Sequence, residues 1–513
     1  MGFSCRFAPR VAILPMLAAA LCAQPSPSKF ARVGLDRGEI QAVISMARSA
    51  PAEFGADALI TLVESGLIAD HRAGRDLLDE AFAMAGGAQE KIALKRGAGD
   101  SAVTSALHGA FRNGLDAASL RSRASIALLK IDPQAARDMF QRIQLPIEPA
   151  QHDGMGCEQH LVPDLSFYYV AMWEVARGIH ERDRLEGFLR EHLALFRSTA
   201  QITPLARVFM QVPDLERMPA LVDAFALRLP NLDRDVRVFS TYYEQAIEAV
   251  GQLASSVASS GKDRLVQESR AWVIRNIDEG LCAAPPRYEV SFDGNGRKPI
   301  APPAPEAVFN EFVARQSRAA TESIAAADII RREPGSAAET RPNSPGYAEH
   351  FRTRLLLSRE DFGGFDLARW RGDMESYIAR LAAWNAADAD RSSFYLEKSD
   401  LLTQILFIEK RTPAAPGSRV MITPTGARRL TGPIVEIPGR DRLMSALVEW
   451  FDSDTARQVY SARRLVWFSP VRDLLGTYED SDRTLAMAER YARSQNPILG
   501  LYGRLAKLVA TPQ

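Results

Sequence analysis

Cysteine and histidine, the residues from which metal and nucleophilic sites are most often built, are scarce: four cysteines and seven histidines in 513 residues. So few cysteines exclude a disulfide-dense scaffold and any paired Cys-x2-Cys zinc module. An excess of one charge is also lacking, with 63 basic residues against 63 acidic ones. Without a net field there is no long-range steering of nucleic acid, and no nucleic-acid partner is expected. Beyond the first residues, no apolar run reaches the ~20 residues needed to span a bilayer. Gly-x-Ser-x-Gly, His-Glu-x2-His, Gly-x4-Gly-Lys and Gly-x-Gly-x2-Gly are all missing, so no catalytic signature and no cofactor are implied.

The N-terminus carries a processing signal. Arg6 and Arg10 precede the apolar run Val11–Leu21, and Leu21-Cys22-Ala23 offers a cleavage site. Residues 1–23 therefore read as a signal peptide, and the mature chain is expected to be secreted or periplasmic, with no transmembrane segment. A lipoprotein reading fits less well, because Leu21 stands where a lipobox wants a small residue.

Loss of the signal leaves Cys157 and Cys282. In an oxidising compartment they are the candidates for one disulfide, worth ~4 to 5 kcal/mol in the chain-entropy model. Cys157 lies in the polar loop His152-Asp153-Gly154-Met155-Gly156-Cys157-Glu158-Gln159-His160, ahead of an aromatic helix placed at Pro163–Ile179. His152, Glu158 and His160 are also competent metal ligands, and Cys157-x2-His160 would let thiolate and imidazole reach one zinc ion. No second ligand pair completes that set. The disulfide is preferred, and a metal-dependent hydrolase built on this loop is the alternative.

The remaining sequence reads as helices. Residues 24–30 form a Pro/Ser linker, after which Ile40, Val43, Ile44 and Ala47 recur at the helical period. Phe54, Ala58, Leu59, Leu62 and Val63 repeat the pattern, and so do Leu77, Leu78, Ala81, Phe82 and Ala85 before Gly86-Gly87. Asp132-Pro133 is a side-chain cap followed by a proline that suits the first helical position. It separates the stripe Leu120, Ala124, Ala127, Leu128, Ile131 from the stripe Ala136, Met139, Phe140, Ile143. Further helices are placed at Arg182–Phe196, from Thr203-Pro204, at Asp214–Leu229, at Asp233–Ser256 and at Lys262–Gly280.

The wording Ala124-x3-Leu128, Asp132-Pro133-x2-Ala136-x3-Phe140 resembles a tetratricopeptide or HEAT-type hairpin over about one repeat. The resemblance implies stacked helix pairs; no fixed period runs along the chain, so the stack is irregular. Glu268-Ser269 resembles the catalytic pair of lytic transglycosylases, but the Gly-Leu-Met-Gln motif that should follow is missing. Glu268 is therefore read as a polar-face residue, and Ser259-Ser260-Gly261 as a turn between helices.

Residues 283–304 hold Pro285-Pro286, an alternating Tyr288, Val290, Phe292 piece ending in Asp-Gly-Asn-Gly, and a proline run. They read as the linker between a helical-repeat-like domain, 31–282, and a C-terminal domain, 305–513. In the latter, helical faces are carried by Trp370, Met374, Tyr377, Ile378 and Leu381, by Leu401, Ile405 and Ile408, and by Leu443, Leu447, Val448 and Phe451. Helices are expected at Pro305–Ile330, Tyr460–Leu475, Asp482–Arg493 and after Asn496-Pro497, with a disordered loop at Glu333–Pro345. Val420–Ile422 and Ile434–Ile437 are expected to pair as a small β-hairpin. The fold class is thus all-α, α-solenoid-like, with a second mainly helical domain. The function it suggests is binding or scaffolding, with an unknown protein or cell-envelope partner.

Overall fold

The computed structural model describes residues 37–88, 94–95, 113–145, 162–163, 165–232, 243–257, 259–279, 289–293, 296–300, 343–358, 366–387, 389–408, 410–411, 420–423, 426–429, 434–476 and 481–510. Over these residues the chain is mostly helical. The helix expected at Pro305–Ile330 and most of the loop at Glu333–Pro345 lie outside them.

The first helices are α1 (Arg37–Ser49), α2 (Ala52–Glu64), α3 (His71–Ala85), α4 (Ala117–Leu129) and α5 (Pro133–Gln141). Each apolar stripe named above is buried at the helix interfaces, with Val63 and Ile131 only partly covered. The Asp132 carboxylate accepts the Ala135 N–H at 3.0 Å, and Pro133 occupies the first turn, as the sequence indicated. α2 departs from a one-sided helix. Every residue from Glu53 to Ile60 is buried, so it runs through the interior with two carboxylates, Glu53 and Asp57, on board. Gly55 permits this: a Cβ there would meet the Ala47 carbonyl and Met84, so α1 crosses almost in contact with the α2 backbone.

α6 (Ser166–Ala176), α7 (Arg182–Leu193), α8 (Ile202–Gln211), α9 (Pro219–Arg228), α10 (Tyr243–Ser255) and α11 (Ser259–Glu279) follow. Tyr168 and Tyr169 of α6 are core residues, while Phe167 and Trp173 are partly covered. Four starts differ from expectation. α6 opens at Ser166 and not at Pro163, because Pro163 is taken up in a short strand paired with Leu94. α8 is led in by a 3-10 turn, Thr199–Gln201, because Ser198 and Gln201 form a capping box ahead of Thr203-Pro204. α9 opens at Pro219, behind a short 3-10 turn at Leu215–Arg217, since Asp214 takes a left-handed conformation that interrupts the helix. Ser259, Ser260 and Gly261 belong to the first turn of α11 and are not a connection.

The C-terminal half contains α12 (Tyr347–Ser358), α13 (Leu367–Ala383), α14 (Arg391–Leu406), α15 (Arg440–Phe451), α16 (Asp454–Ala462), α17 (Arg464–Gly476), α18 (Ser481–Ala492) and α19 (Pro497–Ala510). The helix expected at Tyr460–Leu475 is two helices, because Ser453 caps α16 through the Ala456 N–H and the chain breaks at Arg463. α14 resembles α2 in being buried continuously, here from Ser393 to Ser399, with Glu397 and Lys398 inside. Asn496 caps α19 through the N–H groups of Ile498 and Leu499.

Short antiparallel pairs punctuate the helices. Leu94–Lys95 (β1) pairs with Val162–Pro163 (β2), and Glu289–Asp293 (β3) with Gly296–Ile300 (β4). Lys410–Arg411 (β5) pairs with Ile434–Val435 (β8), and Val420–Thr423 (β6) with Gly426–Arg429 (β7). Val420–Ile422 and Ile434–Ile437 therefore do not pair with each other: the closer segment across Pro424 takes the first, and the segment after α14 takes the second.

Packing neighbours give a connected path through the molecule. α11 rests on α9 and α10, and contacts continue through α8, α6, α4 and α3 to α2 and α1. From α12, contacts run through α13 and α14 to α17, then α18 and α19. The two paths meet where α19 packs on α1 and α2. The first and last of the described helices thus meet at the joint, and helices from both sides of the 283–304 segment share one core.

Candidate functional site

The residues singled out in the sequence as a possible site do not decide the matter. Cys157, Cys282, His152, Glu158 and His160 all lie outside the described residues. Among the described residues, no group of three or more His, Cys, Asp or Glu side chains is placed to hold a metal ion. Glu268 is ion-paired with Arg264 one turn away at 3.2 Å, and the Ser269 hydroxyl donates to the Leu265 carbonyl at 2.6 Å. Both side chains are thus occupied within their own helix, with Glu268 largely covered.

The structure brings together two charged clusters whose members carry no local mark of one another. The first is centred on Asp57. One carboxylate oxygen accepts from Arg123 of α4 and lies 3.6 Å from Arg472 of α17. The other accepts the Tyr502 hydroxyl of α19 at 2.6 Å. Arg123 also donates to Glu64 at 2.7 Å, and Arg472 to the Asn113 carbonyl. One turn before Asp57, Glu53 takes Arg464 at 3.0 Å. Burial opposes the charge on Asp57, but the Arg472 and Arg123 guanidiniums and the hydrogen bonds from Tyr502 and Arg123 outweigh it. The carboxyl is held below the ordinary aspartate range, ionised at neutral pH and engaged on both oxygens. Tyr502 is pushed the other way, its pKa raised first by burial and then by the Asp57 charge. A carboxylate in this state is a poor general base and a good helix cross-link.

The second cluster surrounds Lys398, which is 5 % exposed. Its ammonium donates to the carbonyls of Ala382 at 2.8 Å and Trp384 at 2.7 Å, the unsatisfied C-terminal end of α13. It also sits 4.4 Å from the centre of the Trp450 ring. Burial lowers its pKa to about 8. Neighbouring Glu397 is raised by burial, against which the Ser344 N–H, donating at 3.1 Å, works in favour of its charge. Lys398 is therefore a C-terminal helix cap placed from another helix, a cation where the helix dipole favours one.

The four tryptophans of this half do not form an open groove. Each indole N–H ties two elements together: Trp370 to the Leu357 carbonyl, Trp384 to the Pro345 carbonyl, Trp450 to the Ser399 hydroxyl and Trp467 to the Phe451 carbonyl. Gln201 performs the same task in the first half. Wholly buried, it donates to the Tyr169 hydroxyl and the Leu195 carbonyl and accepts the Arg197 and Ser198 N–H groups.

At the surface, an open depression follows α16 and is lined by Asp454, Arg457, Gln458 and Ser461. Phe351, Leu355 and Leu356 are exposed together on α12. No helix among the described residues is long and apolar enough to cross a membrane. Comparison with known proteins adds no assignment: no protein-family model, no curated protein and no solved structure matches this chain.

Proposed function

We propose that this chain is a secreted or periplasmic helical protein with a binding or scaffolding role in the cell envelope, arranged as an irregular, solenoid-like stack of helix pairs. The observation that carries this reading is the outer face of α12. Three of the seven large hydrophobic side chains exposed among the described residues, Phe351, Leu355 and Leu356, gather on that one helix. Apolar side chains scattered singly need no explanation, whereas several gathered on one short helix are characteristic of a contact surface. The buried charges support the same reading, because the Asp57 and Lys398 clusters spend their hydrogen bonds joining helices.

Site-specific photo-crosslinking in the native envelope tests it. A photoreactive residue at Leu356 should give a discrete adduct, while the same residue at Arg457 on α16 should not. Equal labelling, or none, counts against a contact surface on α12. Cell fractionation tests the location, and retention of the chain in the cytoplasm would overturn the signal-peptide reading.

A further inference from the structure

Among the described residues, the ion pairs that cross the joint between the chain's two halves all run in one direction. The first half contributes carboxylates: Glu39 of α1 with Glu53 and Asp57 of α2. The second contributes guanidiniums: Arg504 of α19 with Arg464 and Arg472 of α17. The pairs are Glu39–Arg504 at 3.7 Å, Glu53–Arg464 at 3.0 Å and Asp57–Arg472 at 3.6 Å. Between them Phe54, with no exposed surface, is enclosed by Trp467, Phe468 and Tyr502 at ring separations of 6.4, 4.8 and 6.2 Å. An aromatic anchor inside a ring of complementary charges, rich in Arg, Tyr and Trp, is the composition of a specific protein–protein interface.

Each half also has helix packing of its own. α2, α3 and α4 pack mutually, as do α17 with α14 and α16, and α18 with α19. We infer that residues 37–279 and 343–510 recognise one another through this joint as two partners would. The acidic α1–α2 face is the interaction surface, and its partner is the arginine-bearing α17–α19 face of the same chain. The covalent connection between the halves is then dispensable for holding them together once they are assembled.

The test uses the full-length chain with a sequence-specific protease site inserted within 305–342. After complete cleavage the two pieces should migrate as one particle of uncut mass, with unchanged helical circular dichroism. Pieces that separate at micromolar concentration would overturn the inference. Charge reversal supplies the second arm. In the cleaved protein, Glu53→Arg or Arg464→Glu alone should weaken association by at least about tenfold, and the two together should recover most of it. Identical dissociation of all four forms would overturn the charge match. Should a single variant lose its fold, cleaved wild-type protein still decides the inference.

Discussion

The Tyr502 hydroxyl donates to the Asp57 carboxylate at 2.6 Å across 445 residues of sequence. It binds the last helix to the second, inside a core that neither could close alone. Every property of Asp57 follows from that position: it is ionised against the pull of burial because α4, α17 and α19 all supply donors.

Asp57→Asn should therefore be strongly destabilising, by ~3 to 5 kcal/mol, because Arg123 and Arg472 lose the charge they share in a buried setting. The pH dependence has a definite sign. Since the folded-state pKa of Asp57 is depressed, its contribution is complete above the unfolded value of about 3.9 and is lost as pH falls through the lower folded value. Urea denaturation should give a constant gap between wild type and variant at neutral pH, narrowing only in acid. A gap that closes at neutral pH would remove Asp57 from this role.

Phe54→Ala empties the space between α2 and Trp467, Phe468 and Tyr502. A loss of about 3 to 5 kcal/mol is expected in equilibrium unfolding. A loss below ~1 kcal/mol would mean that the joint is not closed in solution.

How far such residues can be read in advance depends on where their partners lie. The stripes on α1, α3 and α13, the cap at Asp132 and the helix start after Asn496-Pro497 are legible because partner and residue fall within a few turns. The capping boundaries at Ser198 and Ser453 were equally local and carried the usual serine signal, so the helix starts at Thr203 and Tyr460 missed a sign that was present. α2 and α14 are different. Their charged residues interrupt an apolar face and suggest a solvent side, yet that side is covered: in α2 by α17 and α19, far away in sequence, and in α14 by the end of the preceding helix and by Trp450. Nothing local marks Glu53 for Arg464, or Lys398 for the end of α13.

Lys398→Met keeps most of the side-chain volume but leaves the Ala382 and Trp384 carbonyls without their donor. Destabilisation of ~1 to 3 kcal/mol is expected from the stranded acceptors. Hydrogen exchange should show the loss concentrated at the end of α13. A uniform change across the chain, or none, would contradict the capping role.

Gly503→Ala tests a close helix contact. A methyl group there would fall on the backbone at Tyr491 and Ala492, so α18 and α19 must separate to admit it. The variant should lose about 1 to 3 kcal/mol despite the better helix propensity of alanine, measured as a lower urea midpoint. A midpoint at or above wild type would refute the close approach.

We further propose that the chain reaches an oxidising compartment and that Cys157 and Cys282 form one disulfide there. Mass spectrometry of unreduced peptides should detect the linked pair, and two free thiols would end the idea.

The position of α19 also sets a schedule for folding during synthesis. Glu53, Phe54 and Asp57 emerge early, but the Tyr502 that completes their enclosure follows 445 residues later. At about 5 to 20 residues per second, this patch waits roughly 20 to 90 seconds for its cover. During that interval it offers the Glu53 carboxylate and an aromatic ring to whatever else is at hand, while Asp57 has Arg123 of its own half for a partner. A nascent chain of this design has reason to remain in a chaperone's keeping until its final helix is made.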